Sequence, residues 1–449
     1  MAKSRMGGAL STAERVSASL LTVVWLLELS NLASPSRLLS AFGIVGLLAF
    51  VLLALIRASA HIRVLFAGVG GLAVSIAAMK SDTMLLVAGL ERAQVFGAFL
   101  PSVLLLRATV ENSPRIASLR EGIDALNGQA RENWMLCGSH ALGFVLNVGT
   151  MGILVPFIGR DVSASERVAL AAASVRGVGT AAMWSPFFVS LGFVSHLVPS
   201  VELWEAMALG AGLAFIGLVL SWWMFTPTLG VAGFLMSTRK LLPLGAPTVV
   251  IVGTILVVAT TLSLSGPAAV AVGVPLLCAG HLVFSGQARA TQVARDTLRS
   301  YGRLADEMII IVGAVVLGTV IARMPEAAEI AMSLIPAFLS GAALIVTLML
   351  VLIASGLAGL HPMIGATILV PMLTGDNFGV CDVVLVETAV FAWGLSAIVA
   401  IWTLPVAVAS SMFGVPLRSL ATGRPLRFAA VHVMAAAAYL SAANAWIMS

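Results

Sequence analysis

Apolar residues in this chain come in long blocks separated by short polar connectors. In the first half the blocks cover 17–33, 38–56, 64–79, 83–106, 134–158, 165–197 and 203–225. The second half follows with 245–263, 267–285, 306–324, 338–373, 383–412 and 428–447. A helix needs about 20 apolar residues to cross a bilayer, so the pattern predicts an all-α polytopic membrane protein. Four of the blocks are interrupted. The first half carries Asn147-Val-Gly-Thr150 and then Gly177-Val-Gly-Thr-Ala-Ala-Met-Trp-Ser-Pro186. The second half echoes this with His361-Pro-Met-Ile-Gly-Ala-Thr367 and Gly394-Leu-Ser-Ala-Ile-Val-Ala-Ile-Trp-Thr-Leu-Pro405. Backbone leaves the helix at membrane depth only where protein buries it or a hydrated cavity receives it. Paired interruptions, one pair per half, are the sequence mark of a midplane binding site.

Composition agrees with the pattern. Hydrophobic residues make up 60% and charged residues 10% of the 449, against about 25% charged in a soluble domain. The net charge of +5 does not point to nucleic acid, because the arginines sit in short loops where membrane topology explains them. The basic start (Lys3, Arg5, Arg15) ahead of an apolar run reads as a retained first span. Cys137, Cys278 and Cys381 share no metal or redox spacing and read as apolar fillers.

The blocks 134–158 and 338–373 could each be a crossing or a re-entrant hairpin, and the arginines distinguish the two. With both as hairpins and the N-terminus cytoplasmic, 20 of the 25 Lys and Arg residues fall inside. A crossing at 134–158 would carry Arg289, Arg295, Arg299 and Arg303 outside, against that bias. The expected architecture is therefore eleven transmembrane spans plus two oppositely oriented re-entrant hairpins, in two inverted-topology repeats. Ile153-Leu-Val-Pro156 and Ile368-Leu-Val-Pro371, in corresponding places, fit such a repeat. The C-terminus then lies on the outer side of a bacterial-type inner membrane. The expected division is scaffold 1–133, transport domain 134–225, scaffold 226–336 and transport domain 337–449. Loops 107–133 and 286–305 are amphipathic and read either as surface helices or as solvated connectors. Segment 325–333 is the outer counterpart of the first.

A helix stopped in mid-membrane exposes N–H groups at one new end and C=O groups at the other. The N–H end suits an anion and the C=O end a cation. Asn147, Gly149, Thr150, Gly177, Gly179 and Thr180 are the expected cation ligands, by side-chain oxygen or close backbone approach. Oxygen-only ligation suits Na⁺. Substrate contacts are expected from Asn147, Thr150, Arg176, Gly177, Thr180 and Ser185, and from His361, Thr367, Ser396 and Thr403. Small residues also pack membrane helices tightly, which is the competing reading for the Gly and Thr positions. Arg176 is either a direct anion contact or a structural partner. His361 is either a proton-coupling group or a satisfied structural histidine, and the same applies to His140. Glu28 and Glu387 read as structural.

This order of elements resembles the ion transporter superfamily: divalent anion:sodium symporters, arsenite and Na⁺/H⁺ antiporter relatives, and large subunits of tripartite periplasmic carriers. Those symporters carry Ser-Asn-Thr at their hairpin tips. The nearest match is Asn147-Val-Gly-Thr150, while the second tip reads Gly359-Leu-His-Pro-Met363 and departs from it. The resemblance implies a homodimer with a fixed scaffold and an elevator-like transport domain. The expected function is secondary transport of a small anionic solute coupled to Na⁺ or H⁺, with no other cofactor. The alternatives are export of a neutral or lipid-like solute, and a membrane subunit working with a periplasmic binding protein. A lipid-modifying membrane enzyme would need clustered acid–base or nucleophilic groups, and the ionisable residues here are scattered.

Overall fold

The computed structural model describes residues 12–114, 116, 126–158, 162–324, 326–336, 338–375 and 378–449. Among them every regular element is helical, as expected where lipid gives backbone polar groups no other partner. Among the described residues ten helices are long and apolar enough to cross a membrane, so the protein is a polytopic all-α membrane protein. The expected crossing at 165–197 is not among the ten, because it is divided into two shorter helices. Most of the expected 115–126 surface segment lies outside the described residues.

The chain forms two compact units. Unit one joins 1–112 to 267–320. It contains α1 (Thr12–Ala33), α2 (Arg37–Arg57), α3 (Ala60–Met79) and α4 (Met84–Glu111). Unit two joins 113–266 to 321–449 and begins with α5 (Gly128–Leu146), α6 (Gly149–Leu154), α7 (Ala164–Ala181), α8 (Val189–Leu197) and α9 (Leu203–Phe225). It continues with α10 (Gly230–Thr238) and α11 (Gly245–Thr261). Unit one resumes with α12 (Gly266–Ser285), α13 (Gln287–Ser300) and α14 (Ala305–Ala322). Unit two ends with α15 (Ala327–Leu334), α16 (Ala342–Leu357), α17 (Pro362–Leu373), α18 (Asp382–Val399), α19 (Leu404–Phe413), α20 (Leu417–Ala421) and α21 (Arg424–Met448).

Unit one is tied by polar groups threaded between apolar faces. Trp25 Nε1 donates to Ser102 Oγ at 3.1 Å, and Ser102 Oγ donates to the Ala271 carbonyl at 3.1 Å. The amphipathic 286–305 stretch is the helix α13, whose Val293 and Thr297 are buried. Residues 226–266 group with unit two. Asn133 Nδ2 on α5 holds them by donating to Ser237 Oγ on α10 at 2.8 Å.

Residue pairing within unit two fixes helix direction. Between α5 and α7 the pairs are Arg131–Glu166, Ser139–Ser174, His140–Thr180 and Phe144–Ser185. Numbers rise together, so α5 and α7 run parallel. The chain has therefore doubled back between them, which a straight crossing at 134–158 could not do. The same holds for α16 and α18: Gly341 N bonds the Phe378 carbonyl at 2.8 Å, and Gly356 packs on Ser396. Both blocks left open by the sequence are hairpins.

The two interrupted helices cross each other. A Cβ built on Gly394 would stand 3.1 Å from the Gly179 carbonyl oxygen and 3.1 Å from Met183, while one on Gly179 would run into Ile398. Pairing 179 with 398 and 183 with 394 makes α7 and α18 antiparallel. The last long helices follow suit, since Arg424 bonds the Met224 carbonyl and His432 lies 3.1 Å from the Leu213 carbonyl. The first arms α5 and α16 thus run in opposite directions. Gly179→Val is expected to cost about 1–3 kcal/mol by overpacking this crossing. A lowered unfolding midpoint in detergent checks it, with partial recovery in Gly179→Val/Ile398→Ala. Additive effects of the two substitutions would show that the crossing is loose.

Candidate functional site

All four helix interruptions fall in unit two: 147–148, 182–188, 358–361 and 400–403. The first break of a long helix is not at Gly177. Helix α7 continues through Gly177 and Gly179 to Ala181, and Gly394 likewise lies inside α18. These glycines serve close packing, because a Cβ on Gly177 would strike α5 at Leu136, Ser139 and His140. Proline sets the breaks instead. Pro186 disfavours helical backbone at the residue before it, and Pro405 sits in the first turn of α19, behind the N-cap Thr403.

Unwound residues 182–188 are held by side chains. Ser185 Oγ donates to the Phe144 carbonyl of the hairpin arm at 2.5 Å, and Ser190 Oγ donates to the Ala182 carbonyl at 3.1 Å. Trp184 Nε1 donates to His140 Nε2 at 3.3 Å, which leaves the ring proton on Nδ1, 3.0 Å from Thr180 Oγ1. Thr180 in turn donates to the carbonyls of Arg176 and Gly177 at 2.9 and 3.0 Å. His140 is thus a connector between the hairpin arm and the broken helix.

Asn147 makes the first hairpin tip. Its φ of +53° is unusual for a side chain larger than hydrogen, and its Oδ1 caps Val148 N at 2.7 Å. Thr150 follows, fully buried, with no hydrogen-bond partner for its hydroxyl. Most buried threonines here bond their own helix, as Thr367 does with the Met363 carbonyl at 2.7 Å. Thr150 keeps its oxygen free for something else.

Arg176 is 1% exposed and engaged on three sides. Its Nη2 donates to Glu132 Oε1 at 3.1 Å, its Nε donates to Ser221 Oγ at 2.8 Å, and its Cζ lies 3.6 Å from the centre of the Phe225 ring. This geometry ties α5, α7 and α9 together, the structural partnership that the sequence held open as one of two roles. Nη1 alone is buried without a partner.

The second half offers less. His361 caps α17 through Nδ1, which accepts from Met363 N at 3.2 Å, and its ring meets Trp393 edge-on at 5.2 Å. Ser396 donates to the Ala392 carbonyl at 2.7 Å and Thr403 to the Ala400 carbonyl at 2.8 Å. These groups make local hydrogen bonds. What remains is backbone: α17 and α19 begin inside unit two, and their N-termini carry partial positive charge.

Glu387, read from the sequence as structural, lies deep inside unit two. It is 0% exposed, and neither carboxyl oxygen has a hydrogen-bond partner. Its Oε2 would lie 2.8 Å from a Cβ on Gly210, and the Met183 carbonyl of the first break meets the same spot. Among the described residues, no three His, Cys, Asp or Glu side chains gather as a metal site.

No protein-family model matches the chain, and no curated protein matches it significantly. Solved structures that resemble it include the YdaH transporter of Alcanivorax borkumensis, at 13% identity and a TM-score of 0.43, over 79% of this chain and 85% of that one. Another is Neisseria gonorrhoeae MtrF, described as illuminating a class of antimetabolite efflux pumps. It matches at 14% identity and a TM-score of 0.49, over 97% of this chain and 96% of that one. Both scores are too low to assign a family or a function to this chain.

Breaking a buried ion pair on one side costs about 3–5 kcal/mol. Arg176→Ala is therefore expected to lower the unfolding midpoint strongly, and Arg176→Met/Glu132→Gln is expected to recover part of the loss. An Arg176→Ala protein of unchanged stability that loses only solute binding would assign the residue to the solute instead.

Proposed function

We propose that the chain is a secondary transporter that moves a small solute across a bacterial-type inner membrane. One observation carries this reading. Each half contributes a hairpin whose first arm runs parallel to an interrupted helix, and the two interrupted helices cross antiparallel at Gly179 and Gly394. Irregular backbone at membrane depth is tolerated where it is buried or lines a cavity, and inverted pairs of broken helices are how transporters build one site reachable from both sides. This supports inverted-topology repeats, eleven crossings with the broken 164–197 counted as one, and a moving unit built around the hairpins. A homodimer and membership of the ion transporter superfamily belong to the same proposal.

The preference for an anion rests on the N-termini of α17 and α19, since Arg176 is neutralised by Glu132. Coupling to a cation is supported by the free, buried Thr150 oxygen. The test is thermal stabilisation of the purified protein by a panel of small carboxylates, phosphates and uncharged solutes, with and without Na⁺. Stabilisation by an anion is expected, followed by its uptake into proteoliposomes. If Na⁺ is the coupling ion, Thr150→Val should weaken the sodium dependence several-fold with little loss of stability. Failure of every solute class in both assays would overturn the transporter reading.

A further inference from the structure

Glu387 has no hydrogen-bond partner and no exposed surface. An ionised carboxylate in such a place is strongly penalised, and inside a membrane an ionisable side chain is kept for a task. Its surroundings say which task. Gly210 on α9 leaves room that Glu387 Oε2 and the Met183 carbonyl both approach, and a Cβ there would stand within 2.8 Å of each. Met183 belongs to the unwound stretch after α7, so its carbonyl is released from the helical ladder. A hard metal cation asks for about six oxygens or more. Here one carboxyl and one carbonyl approach the same point beside Gly210, a set that fits a proton.

Building on the transporter reading, we propose that Glu387 carries the coupling proton. In the closed arrangement it is neutral, with its O–H beside the Met183 carbonyl. When the interrupted helix moves and water enters, the O–H bond breaks, the proton leaves as hydronium and the carboxylate is left hydrated. Every neighbouring element bears on this. Helix α21 presents Tyr439, within electrostatic reach of Glu387, and His432, whose ring meets Phe391 at 4.9 Å. At its start it also carries Arg424, held by the Met224 carbonyl and the Phe225 ring, and Arg427. Helix α7 brings Arg176, already held by Glu132. Helix α9 brings Glu205, bonded to Glu202 N, and α8 brings His196, which has a partner of its own. Helices α16 and α19 carry no ionisable residue, α17 has only His361 at its cap, and α20 has only Arg418. On α18 itself Asp382 is engaged by Ser200 and by Gly375 N. No cation among these is placed to hold Glu387 ionised.

Two measurements without any solute test the proposal. Infrared difference spectra of wild type minus Glu387→Gln should contain a protonated-carboxyl stretch at neutral pH. A cysteine at Val148, with Cys137, Cys278 and Cys381 replaced, reports the hairpin tip. Its labelling rate, normalised to a free thiol at each pH, should change several-fold with pH, lose that dependence in Glu387→Gln and keep it in Glu387→Asp. Glu387→Gln resembles the neutral state and should fold as wild type does. A missing carboxyl stretch, or a pH dependence that is absent or survives in Glu387→Gln, overturns the assignment. A solute panel that fails strikes the transporter reading and leaves these results standing. A solute that binds while both results fail overturns Glu387 alone.

Discussion

Backbone hydrogen bonding in hydrocarbon governs this structure. A peptide group that leaves the helical ladder inside a bilayer must find a partner within the protein, and this chain leaves the ladder four times. All four interruptions lie in one unit, and at each a side chain bonds the freed backbone or caps the helix that follows, as Thr403 does with the Ala400 carbonyl. Ser185 bonds the Phe144 carbonyl, Ser190 bonds the Ala182 carbonyl, Asn147 caps its own tip and His361 caps α17. Thr150 and Glu387 are buried polar side chains left unpaired beside this irregular backbone, where partner atoms are cheap to provide and have not been provided.

Close approach of helices is the second requirement. Broken helices can exchange partners only if their backbones touch, and glycine allows this. Gly177 lies against α5, Gly179 against α18 and Gly210 against the first break. Each is filled by another chain segment, so glycine here sets distances between helices and does not unwind them. The Arg176–Glu132 pair and the Phe225 ring then lock α5, α7 and α9 into one body.

Much of this was legible in the sequence. Arginine distribution forced both ambiguous blocks to be hairpins, and the parallel pairing of α5 with α7 and of α16 with α18 agrees. The breaks were placed about five residues early, because glycine in a helix was read by its propensity in water, whereas membrane helices use small residues for contact. Pro186 and Pro405 carried the better signal. Glu132 as the partner of Arg176, 44 positions away, leaves no trace in local pattern. The full burial of Glu387 was not legible for a related reason: its position within an apolar block gives depth along one helix, while burial depends on α7, α9 and α21 arriving around it.

The inverted arrangement requires the two hairpins to open from opposite faces, so the direct measurement is cysteine accessibility in oriented vesicles. On a background free of native cysteines, single cysteines at Asn127 and Ser163 bracket the first hairpin, and those at Ser340 and Thr374 bracket the second. A membrane-impermeant maleimide should label the first pair from one face and the second pair from the other. Labelling of Asn127→Cys and Ser163→Cys from opposite faces, or of all four from the same face, would contradict it.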